Sequence, residues 1–134
     1  MSLRILIVED QPDIRQLIRM TLEFGDHELF EADNGDAGYQ TATARHPQLM
    51  LLDVMMPGSM DGLQVCAKLK QDPRFRDIYI VMLTARGQLA DIEAGTRAGA
   101  DAYLIKPFSP LELMDKVAAI DAHLESRQAK AINA

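Results

Sequence analysis

The 134-residue chain has a single cysteine, Cys66, so no intrachain disulfide can form. Cys66 falls in an expected helix, Leu63 to Lys70, where a small buried thiol is the ordinary reading. A long apolar run is also missing. Met1-Ser2-Leu3-Arg4 leads straight into a strand-like segment that is too short, and too soon acidic, for a signal peptide or a membrane span. A soluble, cytoplasmic protein is expected. Basic charge is scarce as well: 14 Lys and Arg stand against 20 Asp and Glu, for a formal net charge of -6. The phosphate attraction that drives nucleic-acid binding has no basic run to act on, nor does anionic lipid. Neither nucleic acid nor membrane is expected as a direct partner. There is no internal repeat and no low-complexity stretch.

What is present is an ordinary globular balance, 48% hydrophobic and 25% charged, at a length that suits one domain. The chain is organised around Leu49-Met50-Leu51-Leu52-Asp53. Four apolar residues run into a lone aspartate, and turn-formers follow at Pro57-Gly58-Ser59 and Asp61-Gly62. A short apolar run bounded in this way reads as a buried strand of a parallel sheet. Asp53 then sits at the strand's carboxyl end, where open α/β sheets bind ligands. It is a metal ligand, a nucleophile, or both.

Strand and helix alternate along the rest of the chain. Leu3 to Val8 is a strand, followed by Glu9-Asp10. A helix opens at Pro12, with Ile14, Leu17, Ile18 and Leu22 at helical spacing, and Gly25 ends it. His27 to Ala32 is a weak strand. A second helix runs from Asn34 to about Arg45, with Ala37, Tyr39, Thr41 and Ala44 as its apolar face. Asp61 caps the third helix. Ile78 to Leu83 is a strand ending in Thr84. The fourth helix, Leu89 to Ala98, has only Leu89 and Ile92 as large apolar residues, so it is expected to be held loosely. Asp101 to Ile105 is the last strand, ending in Lys106-Pro107-Phe108. Ser109 and Glu112 form a capping-box signature with Pro110 in the first turn. Leu113, Val117, Ile120 and Leu124 carry one stripe, and residues 126–134 read as a polar tail. Five such alternations predict a parallel sheet with helices on both faces.

Four strands therefore end in chemically suggestive residues: Glu9-Asp10, Asp53, Thr84 and Lys106. Parallel strands put these ends on one edge. Singly, each has a bland reading, as a partner of a helix dipole, a turn residue or a solvated charge. Their joint placement argues for a site. Two carboxylates about 4 Å apart repel by roughly 4 kcal/mol at an effective dielectric near 20. Lys106 supplies one compensating charge, and a hard divalent cation such as Mg²⁺ is a natural second. An aspartate beside Mg²⁺, a lysine and a hydroxyl is equipment for in-line phosphoryl transfer.

These residues, with Met56-Pro57, Asp61-Gly62, Thr84-Ala85 and Lys106-Pro107-Phe108, resemble the receiver domain of two-component response regulators. The likeness covers nearly the whole chain, so that residues 1–125 would be the receiver. It implies a flavodoxin-like sheet in the order 2-1-3-4-5. It implies that Asp53 is the phospho-acceptor, charged by a sensor histidine kinase or a histidine phosphotransfer protein. Asp10, Asp53 and the backbone carbonyl of Met55 would bind Mg²⁺, with Glu9 assisting through water. Thr84 and Lys106 would contact the phosphoryl group, and Tyr103 would be the aromatic switch. The Lys106-Pro107 bond would be cis. Met55 and Arg86 would border the phosphoryl site. The protein would be a switch rather than an enzyme, acting on a downstream protein target or dimerising through the surface of the fourth helix, fifth strand and fifth helix.

One departure from the family pattern is visible. Gly58 and Ser59 both stand between Pro57 and Met60-Asp61-Gly62, where one residue is usual, so a local bulge beside the metal is expected. No DNA-binding module follows Leu124, which leaves a stand-alone receiver or a piece of a longer regulator or hybrid kinase. Two other classes fit less well. A dehalogenase-like aspartyl phosphatase needs a second aspartate where Met55 stands. A flavin carrier of the same fold needs a hydroxyl- and glycine-rich loop where Glu9-Asp10-Gln11-Pro12-Asp13 stands.

Overall fold

The computed structural model describes residues 3–85 and 89–133, with side chains through Lys130. Five strands alternate with five helices. β1 (Arg4–Val8) is followed by α1 (Pro12–Leu22), β2 (Glu28–Ala32) by α2 (Gly35–Arg45), and β3 (Leu49–Asp53) by α3 (Gly62–Gln71). β4 (Tyr79–Ala85), α4 (Leu89–Ala98), β5 (Ala102–Lys106) and α5 (Pro110–Asn133) complete the chain. All strand pairs are parallel, in the order β2-β1-β3-β4-β5. The fold is the flavodoxin-like one.

Central position explains composition. β3 is buried along its whole length, because helices cover both faces and neighbours cover both edges. β2, at an edge, buries only Ala32 fully, with Leu29 and Phe30 half-buried and Glu28 and Glu31 exposed. Two apolar cores result. Ile5, Ile7, Leu49, Leu51 and Leu83 meet the inner stripes of α1 and α5 on one face. Leu6, Val8, Met50, Leu52 and Met82 meet α2, α3 and the ring of Tyr103 on the other. Cys66 lies in this second core, where burial pushes its thiol pKa up to about 11.

Local signals account for the helix starts. Asn34 accepts from Ala37 N at 2.8 Å. Asp61 and Gln64 form a reciprocal capping box. Glu112 N donates to Ser109 Oγ at 3.1 Å. The Lys106-Pro107 bond is cis.

Three expectations change. Ala37 and Tyr39 pack half-buried against the core as expected, but the fully buried face of α2 is Gly35, Gly38 and Ala42, with Ala44 exposed; the smallest residues face inward because this helix packs close to the sheet. Leu17 does not join the core stripe of α1 and is 37% exposed; Thr21, which donates to Leu17 O at 2.8 Å, is buried instead. α5 does not stop at Leu124 but continues to Asn133. Its packing ends near Leu124, yet Glu125 to Lys130 holds no glycine or proline to stop a helix. Among the described residues no helix is long and apolar enough to cross a membrane.

Candidate functional site

The carboxyl ends of β1, β3 and β5 open on one cavity of about 440 Å³, lined by Asp10, Asp53, Met55, Asp91 and Lys106 among others. Register makes this unavoidable. Val8 pairs with Leu52, Asp53 with Leu83 and Ala85 with Lys106, so Glu9 follows β1 at the level of Asp53 and Lys106 lies two residues further along β5. Asp53 is 6% exposed, buried by the sheet but facing the cavity. Behind it, the first residue of α3 presses on the strand. A Cβ on Gly62 would lie 1.9 Å from Asp53 O, so only glycine allows this approach.

Carboxylate oxygens of Glu9, Asp10 and Asp53 all lie within 4.8 Å of one another. Lys106 is the cation between them. Its Nζ sits 2.7 Å from Glu9 Oε1 and 3.1 Å from Asp53 Oδ2. The contact with Glu9 is charge pairing without hydrogen-bond alignment, since Glu9 Oε1 has no hydrogen-bond partner. Glu9 Oε2 accepts from Gln11 N at 3.2 Å, and Arg15 Nη1 donates to Glu9 O at 2.8 Å. Met55 N donates to Asp53 Oδ1 at 3.3 Å.

The electrostatics follow from crowding. Glu9 is fully buried. Burial is the main cause that raises its pKa, the Asp53 carboxyl beside it adds to the rise, and Lys106 opposes it. Burial pulls the Lys106 pKa down, but the two carboxylates together outweigh burial and hold it above its ordinary value. At neutral pH Lys106 is a fixed ammonium.

Of the predicted residues, Glu9, Asp10, Asp53 and Lys106 converge. Met55 lines the same cavity with its side chain largely exposed. Thr84 does not line it: its neighbours Leu83 and Ala85 do. The Thr84 hydroxyl is buried, with no hydrogen-bond partner among the described residues. Tyr103 lies away from the cavity, with its hydroxyl on α4. Arg86 lies outside the described residues.

The fold adds two residues that the sequence reading missed. Asp91, in the first turn of α4, lines the cavity; in sequence it reads only as a dipole partner. Asp36 holds the lengthened loop. Its carboxylate accepts from Ser59 N at 3.0 Å and Ser59 Oγ at 2.5 Å, which keeps its pKa below the usual carboxylate range. Gly58 takes up the bend with a φ of 105°. The extra residue is thus tied to the start of α2 instead of standing loose.

Comparison with known proteins follows this geometry. The family model of the response regulator receiver domain matches residues 5–118. The chain belongs to that family. This receiver is 41% identical over 116 residues to the phosphate regulon transcriptional regulatory protein PhoB of Pseudomonas aeruginosa, covering 87% of this chain and 50% of that protein. It is 41% identical over 117 residues to the DNA-binding dual master transcriptional regulator RpaA of Synechocystis sp., covering 87% of this chain and 48% of the relative. The receiver thus spans about half the length of these curated relatives. Its structure resembles the chemotaxis response regulator CheY4 of Vibrio cholerae with a TM-score of 0.82 at 26% identity, covering 90% of this chain and 99% of that one.

Proposed function

We propose that this receiver is a phosphorylation-dependent switch of a two-component system, acting in the cytoplasm, with Asp53 as the acceptor. The donor is the phosphohistidine of a sensor histidine kinase or a histidine phosphotransfer protein. One observation carries the reading: Asp53, two further carboxylates and Lys106 meet at a single open cavity. An Asp53 oxygen attacks phosphorus, the O–P bond forms as the P–N bond breaks, and the imidazole leaves with the electron pair.

The donor set fits Mg²⁺. Three carboxylates gather within 4.8 Å around one ammonium, leaving net negative charge and hard oxygen donors. Asp10, Asp53 and the Met55 backbone carbonyl would hold the ion, with Glu9 assisting through water. When bound, it neutralises charge on the phosphoryl oxygens. Lys106 adds its ammonium to the same task. Thr84, whose hydroxyl is buried without a partner among the described residues, turns toward the cavity and donates to a phosphoryl oxygen, leaving its former space open. Tyr103 then moves into the vacated space and α4 shifts, changing the surface of α4, β5 and α5 that a downstream protein, or a second receiver, would read. Residues 1–125 form the signalling unit, and 126–134 extend it.

A second reading rests on length. The curated relatives are about twice as long as this chain and are transcriptional regulators. In the longer form the output would be DNA binding by an attached region, and the expectation of no nucleic-acid partner would apply to residues 1–134 alone.

The test uses acetyl phosphate, Mg²⁺ and intact-mass measurement. The wild type gains one phosphoryl group and Asp53→Asn gains none. Uptake by the variant at the wild-type rate would make the acceptor assignment wrong.

A further inference from the structure

Tyr103 is fastened to α4 by a cluster of three oxygens. Its hydroxyl donates to Ile92 O at 2.9 Å. Thr96 Oγ1 lies 2.9 Å from the same carbonyl and in contact with the Tyr103 hydroxyl, and its one proton goes to one or the other. One hydroxyl comes from β5 and the other from α4, and both crowd on the Ile92 carbonyl. Below the hydroxyl, the ring lies on Gly95, the only buried residue among those described on α4. A Cβ there would meet Tyr103 Cε1 at 3.0 Å and the hydroxyl oxygen at 3.3 Å, with Met82 Cγ at 3.5 Å. Gly95 is thus a seat for the ring and Thr96 a clasp for its hydroxyl. The rest of the helix holds weakly, with Leu89 66% exposed.

We infer that Thr96 is a positioning residue that holds Tyr103 on α4 in the unphosphorylated state and so sets how readily the pocket takes up a phosphoryl group. The inference rests on the switch reading above. Tyr103 cannot leave α4 without giving up its bond to Ile92 O and its contact with Thr96 Oγ1. If phosphoryl binding requires that departure, the clasp opposes it, and by linkage loosening the clasp must tighten binding. Thr96 is exposed, so its hydroxyl can be removed without opening a core.

The test uses Thr96→Val and Gly95→Ala. The first removes the clasp at constant shape. The second adds a methyl under the ring while favouring the helix, since alanine is the better helix former. A merely structural effect through helix stability would therefore show in Gly95→Ala and leave Thr96→Val near the wild type, because valine and threonine have about the same helix propensity. The protein is labelled with 3-fluorotyrosine, which gives signals from Tyr39, Tyr79 and Tyr103, the last assigned with Tyr103→Phe. Without any ligand, both variants should shift the Tyr103 signal and leave the other two in place. Titration with beryllium fluoride and Mg²⁺ should then show a Kd lower by about five-fold in Thr96→Val, the size of one net hydrogen bond. Gly95→Ala should change in the same direction. In a Tyr103→Phe background Thr96→Val should have no effect on Kd.

An unmoved Tyr103 signal, an unchanged or weaker Kd, or a full effect in the Tyr103→Phe background would each overturn the inference. Failure of the wild type to bind beryllium fluoride would instead sink the switch reading. The ligand-free signal would still report whether Thr96 holds Tyr103.

Discussion

β3 and α4 use burial in opposite ways. β3 is buried at every position and ends in a carboxylate that α3 presses from behind through Gly62. α4 buries only a glycine among its described residues and is tied to the sheet by the hydroxyl cluster at Tyr103. On the proposed reading Asp53 meets phosphorus in a fixed geometry, and such a group gains from a rigid mount. On the same reading α4 moves, and such an element gains from having few contacts to break. The molecule joins the two through β4 and β5, which carry Thr84, Lys106 and Tyr103.

The contrast can be tested at its stiff end first. Gly62→Ala should lower stability by about 3 kcal/mol, the upper part of the range for forcing atoms into a packed interior, read as a drop in the urea midpoint. A loss under 1 kcal/mol would mean that α3 can back away from Asp53 and that the mount is soft.

A smaller effect is expected at Glu9, and its sign follows from its raised pKa. A raised carboxyl binds its proton more tightly folded than unfolded, so its favourable contribution is complete below the ordinary value of 4.5. That contribution is lost as pH rises through the raised value. Stability should fall over this window, and Glu9→Gln should flatten the fall and raise stability at pH 7 by about 1 kcal/mol. Urea titrations at several pH values read both effects. A steeper fall in the variant would mean that Lys106 needs Glu9 more than burial penalises it.

The smallest effect belongs to α4. Leu89→Ala should change stability by less than about 0.5 kcal/mol, as exposed positions do. A loss above 1 kcal/mol would show that α4 is anchored better than its burial indicates, and the contrast with β3 would blunt.

The residues that end β1, β3 and β5 could be read in advance because a parallel sheet fixes where carboxyl ends lie. Asp36, Asp91 and Thr96 could not. Each acts on another element: Ser59 for Asp36, the cavity for Asp91, Tyr103 on β5 for Thr96. Nothing in the local pattern around them differs from an ordinary exposed polar residue.

The amino-acid sequence by itself determined the alternation of elements, the two-faced sheet and the gathering of Glu9, Asp10, Asp53 and Lys106, because hydrophobic period and strand direction are local properties with one global consequence. Only the tertiary structure decided how close the helices come. It turned the glycines of α2 inward, tied the lengthened loop to Asp36, carried α5 to Asn133 and set Tyr103 on α4. Those are matters of distance between packed surfaces, which a linear pattern does not encode.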